Sequence, residues 1–257
     1  MDTKMSARTH HSANHRTDSQ VGLDNIDQVE QAIFELVNRE FLQGAFFQTL
    51  LEGEYSIGQI RYFAIQYSYY SRHFPRVLGA AISAMAPFHS WWMPLADNLW
   101  DEAGRGENGR SHEELYRTFL VSVDPNIQLD EHGVPKEPMS EAVGLAIQTF
   151  LAFFRNASPL EAMAAVGFGS ELFAGLVMGT IGRGLKHSAY NQDRILNVFF
   201  WEAHADEHEP RHYQLCKDVL VGFKDPADLA IMHDVGASIA KSEARMYAQL
   251  HQEMLVL

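Results

Sequence analysis

Apolar side chains return every three or four residues through most of the chain, as at Ile60, Phe63, Ala64, Tyr67 and Tyr70. That spacing gives a helix one buried face, whereas the alternating pattern of a half-buried strand is missing. The pattern predicts seven or eight helices over 24–40, 42–53, 56–86, 90–103, 111–123, 139–155, 158–186, 191–220 and 226–254, the second merging into the first. Several starts are well marked. Ser56 with Gln59, Ser111 with Glu114 and Ser158 with Glu161 each fit a capping box, and Pro159 falls at a first helical position. Asp225-Pro226 repeats the signal near the C-terminus. Pro75 and Pro210 lie inside long helical runs and predict bends there. The polar stretch 121–138, with three prolines, reads as a surface loop, and residues 1–20 read as a mobile tail. No repeat of solenoid length is present. The expected architecture is one all-α domain over 21–257, a bundle whose kinked helices wrap a central space.

Composition narrows the function. Of 257 residues, 46% are hydrophobic and 21% charged, as in a globular protein. Acidic side chains outnumber basic ones by 33 to 20, a formal charge of −13, and no cluster of Lys and Arg is available to neutralise phosphates. Cys216 is the single cysteine, so neither an internal disulfide nor a Cys-rich zinc site is expected. No apolar run of about 18 residues and no signal-peptide core is evident, so a cytoplasmic location away from the membrane is expected. The expected partners are a small-molecule substrate and at most a second copy of the chain as a homodimer, with no nucleic acid and no membrane. What stands out is the count of 13 histidines, three of them (His10, His11, His15) in the tail.

The densest chemistry is at 199–213, FFWEAHADEHEPRHY. His204, His208 and His212 recur every four residues and share one helical face, where neutral imidazoles can converge on a metal. The bland reading is a solvated, mixed-charge helix. Against it, the cluster follows the apolar run 195–201, and Pro210 invites a bulge that re-aims His212. Carboxylates should come from other helices. Glu102 ends one predicted helix and His112 starts the next, and the glycine-rich turn at 104–109 can bring them to one point. The alternative is that Glu102 pairs at the surface and His112 is an ordinary early helical residue. Glu171 lies in an almost wholly apolar helix, where an isolated carboxylate costs several kcal/mol unless paired or bound to a cation. Gly167, Gly175 and Gly179 are spaced for close helix contact, and the aromatic residues of 62–78 read as core.

These segments resemble a known family. NLWDEAGRGENGRSHEELY (98–116) is similar to the NLxDExGxGxxxxxHxxLY signature of the haem-oxygenase-like diiron oxidases and oxygenases. QYSYYSRHFPRVLGAAISA (66–84) is similar to that family's YxxxxxxFPRxLA helix, and FWEAH (200–204) to the YFxxH that opens its last ligand helix. Glu171 resembles its lone mid-chain glutamate. The resemblance covers about 60–215 in the right order. It implies a seven-helix haem-oxygenase-like bundle, relatives of which include the pyrroloquinoline-quinone synthase and thiaminase-II folds, with a central dimetal site. Two irons (Fe2+/Fe3+) would be cofactors and O2 the co-substrate, and manganese would accept the same ligands.

Carried over residue by residue, Glu102, His112 and Glu171 would serve one iron, with Glu171 placed to bridge, and His204 would open the set for the other. The family continues with a carboxylate four residues after that histidine and a second histidine at seven. Here those positions hold His208 and Arg211, and His212 follows at eight. Either a bulge at Pro210 swings His212 into the vacant role or Glu207 supplies the carboxylate. The working ligand set is therefore Glu102, His112, Glu171, His204, His208 and His212, with Glu207 as the alternative and His187 a distant surface candidate.

The resemblance implies an oxidase or oxygenase of small amino-acid-derived molecules, acting by N-oxygenation, desaturation or oxidative C–C cleavage in natural-product biosynthesis. Arg76, Arg183 and Arg211 are candidates to hold a substrate carboxylate, each with a surface ion pair as its alternative. Two rival readings are a cofactorless enzyme on the same fold and a non-catalytic metal- or partner-binding bundle. In the first, Cys216 lies beyond the His cluster, out of place for a thiaminase-like nucleophile.

Overall fold

Asn25 begins the helical chain by accepting the backbone N–H of Gln28, and helix α1 follows over Ile26–Val37. The computed structural model describes residues 22–85 and 89–257, except for the side chains of His89 and Glu207. The tail expected at 1–20, and the Glu207 side chain offered as an alternative ligand, lie outside what is described.

Further helices follow as α2 Ala45–Leu51, α3 Ile57–Ser71, α4 Phe74–Met85, α5 His89–Glu102, α6 His112–Val123 and α7 Glu141–Phe153. The rest are α8 Pro159–Val166, α9 Leu172–Leu185, α10 Phe199–Ala203, α11 Glu209–Leu220 and α12 Pro226–Leu255. No strand forms among the described residues; Leu129 and Pro135 make one isolated β-bridge. All three predicted capping boxes form, at Ser56, Ser111 and Ser158.

Four expectations need correction. The second predicted helix does not merge into the first, because a turn at Gln43-Gly44 separates them. The long helix at 56–86 does not bend at Pro75 but breaks at Arg72-His73, and Pro75 becomes the second residue of α4. A proline in a first helical turn costs no hydrogen bond, so restarting the helix is cheaper than bending it. The helix expected from 191 begins only at Phe199. Polar side chains hold the intervening stretch: Asn191 Nδ2 donates to the Leu185 and His187 carbonyls, its Oδ1 accepts from Leu196 N–H, and Asn197 accepts from Phe199 N–H. Finally, the helical run Pro159–Leu185 is long and apolar enough to cross a bilayer by length and composition, contrary to the expectation that no such run exists. It is 72% buried inside the bundle, as a core helix should be.

The loop after α6 is tied down. Tyr69 donates to the Pro135 carbonyl, Arg72 to that of Gly133, and Gln66 to that of Pro138.

Among the described residues, three places interrupt the α ladder with one π-helical turn, at Asn38–Leu42, Gly167–Glu171 and His204–His208. The second joins α8 to α9 and ends on Glu171; the third joins α10 to α11 and begins on His204. Such single turns are rare inside helices and frequent at functional sites. The 30-residue α12 packs on α1, α7, α8 and the Gly167–Glu171 turn, and α9 packs on α2, α10 and the His204–His208 turn. Gly175 and Gly179 make the last approach close: a Cβ at either would meet Ala205 at 3.3 or 3.2 Å. The central layer is aromatic, with Phe46, Phe63, Trp201, Tyr67 and Tyr247 linked in a ring of successive contacts.

Candidate metal centre

Glu102 is the last residue of α5 and His112 the first of α6. The turn between them runs through three successive left-handed residues, Gly104 (φ 72°), Arg105 (φ 50°) and Gly106 (φ 80°). Arg105, the one described non-glycine residue in that region, is held there by ion pairs to Asp97 and Asp101. The Ser111 capping box then fixes the α6 start, so His112 turns back toward Glu102. At Gly104 a Cβ would stand 2.5 Å from the Ser111 backbone nitrogen. Gly104→Ala is therefore expected to lower thermal stability by about 1–2 kcal/mol or more from the left-handed backbone alone. It should also lower metal uptake, and a variant with wild-type melting and wild-type iron content would contradict this role for the turn.

Two groups of buried ligands result, Glu102 with His112 and His204, and Glu171 with Glu209 and His212. In each, the ligand atoms lie within 4.8 Å of one another. His204 Nδ1 donates to the Phe200 carbonyl at 2.6 Å, which leaves Nε2 as the acceptor nitrogen, 2.9 Å from His112 Nδ1. The other His112 nitrogen, Nε2, is 2.7 Å from Ser71 Oγ. Glu102 Oε2 is 2.5 Å from His112 Nδ1, yet it makes no hydrogen bond of acceptable geometry. Glu102 Oε1 faces the second group, 3.9 Å from His212 Nδ1. That nitrogen also lies 3.6 Å from Glu171 Oε2 and 4.0 Å from Glu209 Oε2. Asn98 Nδ2 donates to Glu171 Oε1 at 2.6 Å, and Asp101 stands 3.4 Å from His212 Nε2.

Electrostatics mark these groups as incomplete without a cation. Glu102 Oε2, Glu171 Oε2 and both His212 ring nitrogens are buried without hydrogen-bond partners. Each such atom costs on the order of a few kcal/mol unless something binds it. Burial works to raise the Glu102 carboxyl, but His112, followed by His204 and His212, brings it down to about 2. Burial holds His204 neutral, with its pKa lowered to about 3. Glu209 is pushed well up by burial and by the charge of Glu171. Three buried carboxylates and three imidazoles crowded together, with four of their polar atoms unpartnered, fit a pair of divalent cations. Outer partners that orient a ligand, such as Ser71, the Phe200 carbonyl, Asn98 and Asp101, are what a metal set needs.

The structure brings together Glu102, His112, Glu171, His204 and His212, but divides them differently from the carry-over. Glu171 sits with the second group, and Glu102, in the first, turns Oε1 toward the second. His208 belongs to neither group. It lines a surface hollow with Asp101, Arg105 and Glu107. Glu209, which counting along a regular helix does not single out, takes the carboxylate place. The cause is the π turn: Pro210 lacks the N–H that would reach Asp206, and the Glu209 N–H reaches five residues back to His204. On a straight helix, eight residues from His204 would carry His212 about 80° round. One residue absorbed in the π turn makes Glu209 an effective fourth and His212 an effective seventh. The signal in the sequence was Pro210 with an acidic residue directly before it.

A cavity reaches the site, where His112 and Glu209 form part of its wall. Its other walls are mostly apolar, including Phe74, Val77, Ile147, Phe150, Val177 and Met178. Tyr67, Tyr70 and Phe74, expected as plain core, line it too. No arginine does among the described residues. Arg76 and Arg183 are exposed, and Arg211 is ion-paired to Asp97 and Asp101 on α5, so none of the three candidates for a carboxylate clamp lines this cavity. His187 is exposed, its Nδ1 accepting from Ala189 N–H. Cys216 is fully buried and burial pushes its thiol up, which makes it an inert packing residue.

Among solved structures, a CADD-like protein of unknown function from Nostoc punctiforme superposes with a TM-score of 0.69 at 17% identity, covering 88% of this chain and 97% of that one. A domain of unknown function with a heme oxygenase-like fold from Shewanella denitrificans gives 0.69 at 15%, covering 90% and 94%. A TenA homologue from Pseudomonas syringae pv. tomato gives 0.64 at 12%, covering 90% and 92%. These likenesses establish a haem-oxygenase-like all-α fold. Comparison with curated proteins gives no match. The sequence profile described as iron-containing redox enzyme matches residues 61–239, a span that carries every ligand of both groups. By that match over most of its length, the chain belongs to the iron-containing redox enzymes.

Proposed function

We propose that this protein is a non-haem diiron oxidase or oxygenase that uses O2 on a small amine- or amino-acid-derived molecule bound in the cavity. N-oxygenation, desaturation and oxidative C–C cleavage, as in natural-product biosynthesis, are the reaction types within its reach. The observation that carries this reading is the pair of adjoining His/Glu groups, with Glu102 of the first 3.9 Å from His212 of the second, that open on a largely apolar cavity through His112 and Glu209.

Iron in such a set, with positions left open, supplies the electrons that dioxygen needs. The chain does the rest. Ser71 and the Phe200 carbonyl fix the His112 and His204 rings, Asn98 holds one Glu171 oxygen, and Asp101 faces the outer nitrogen of His212. Phe74, Val77, Phe150 and Val177 keep bulk water from the reacting end of the substrate. The reactive bond is the one the cavity presents to His112 and Glu209.

Anaerobic Fe(II) titration of the purified chain tests this, followed by O2 uptake measured with and without an added amine substrate. About two irons per chain, one for each group, and iron-dependent O2 consumption are expected. Less than about one iron per chain, or O2 uptake that survives removal of the iron, overturns the reading.

A further inference from the structure

Glu243 lies in the middle of α12, far along the chain from the ligand motifs, and is 8% exposed. It lines the same cavity as His112 and Glu209. Its neighbours supply no counter-charge: the Tyr70 and Tyr247 hydroxyls stand beside it, and neither lysine nor arginine lines the cavity among the described residues. Burial outweighs those two hydroxyls and pushes its carboxyl up to about 7. A buried carboxyl with no counter-charge costs stability for no packing gain. Glu209, the other cavity carboxylate, is committed to a ligand group, which leaves Glu243 to meet what enters.

The surroundings specify the visitor. Tyr67 and Tyr70, their ring centroids 5.8 Å apart, line the cavity with Glu243, and the Tyr247 ring lies 6.3 Å from that of Tyr67. Aromatic rings lining a cavity beside one carboxylate attract an ammonium group through both its charge and the ring quadrupoles. They repel a substrate carboxylate, for which this wall holds no guanidinium. Beyond the rings, Phe74, Val77, Ile147 and Phe150 suit an alkyl or aryl body.

Building on the oxidase reading, we infer that Glu243 is a specificity residue that receives the protonated amine of a small alkyl- or arylammonium substrate. Tyr67 and Tyr70 flank the ammonium, and the apolar body extends toward His112 and Glu209. The place assigned to an arginine clamp in the sequence is thus filled by its electrostatic opposite.

The test is calorimetric binding of n-hexylammonium, 1-hexanol and hexanoate to the full chain, iron-loaded and iron-free. Wild type should bind hexylammonium about tenfold or more tightly than hexanol, and hexanoate least. Glu243→Gln should lose that preference with far-UV circular dichroism and iron content unchanged, and Glu243→Asp should keep part of it. Equal or tighter binding of hexanoate, no binding of any probe, or an undiminished ammonium preference in Glu243→Gln overturns the inference. Because the iron-free chain is measured as well, failure to take up iron sinks the diiron reading and leaves the amine preference as a separate result.

Discussion

Glu209→Gln is expected to leave the chain with about half its iron, while His208→Ala keeps the full complement. Glu209 is 6% exposed and shares the second ligand group with Glu171 and His212; His208 belongs to neither group. An amide is neutral and offers one weaker oxygen, so the second cation loses both charge and a bond. Even loss of an outer-shell partner lowers metal affinity roughly 10–100-fold, and loss of a direct ligand should exceed that. Catalytic O2 uptake with an amine present should fall to background. Metal analysis of both variants after reconstitution decides the matter. If His208→Ala loses iron and Glu209→Gln does not, the ladder does not slip as described and His208 is the ligand after all.

The second large effect is structural. Trp201 is fully buried, with ring centroids 4.9 Å from Tyr67, 5.1 Å from Phe200 and 5.5 Å from Phe119. It also lies against the bare face of Gly182, where an added Cβ would meet it at 3.0 Å. Trp201→Ala should cost about 3–5 kcal/mol, because nothing nearby is free to fill the void. For a chain of this size that corresponds to a melting point lower by roughly 6–20 °C. Trp201→Phe should cost much less. The indole N–H is buried without a partner, so its removal relieves a penalty as the ring shrinks. Thermal denaturation of the two variants gives the comparison. Equal losses would mean that the pocket tolerates no change of shape. Since His204 follows one helical turn later, the alanine variant should also bind less iron.

Much of this fold was legible because helices announce themselves locally. Periodic apolar residues and the serine caps at 56, 111 and 158 act over a few residues, and the caps formed as expected. What went astray was set at longer range or by a slip of one residue. The break at Arg72-His73 and the irregular stretch before Phe199 hinge on choices between near-equal local options, settled by Pro75 and by side chains such as Asn191. The ligand set divides in the same way. Glu171 stood out because a carboxylate in apolar surroundings needs a cation or a partner. Glu102 and His112 stood out because a glycine turn can fold two ligand types onto one point. Glu209 did not, because counting by fours assumes an unbroken helix. Glu243 carries no motif at all, and only the packing of α12 brings it to the cavity.

The His204–His208 turn has a consequence for chain length. It makes the helix one residue longer than the ligand register requires, so that residue is, in effect, spare. A sequence lacking one position between His204 and Glu209 could wind as an uninterrupted α-helix and still present its imidazoles and carboxylate to the same point. Gain or loss of a single codon here is thus a silent edit in three dimensions, although it shifts every later position in an alignment. Ligand identity along this helix is therefore kept by turn rather than by residue number.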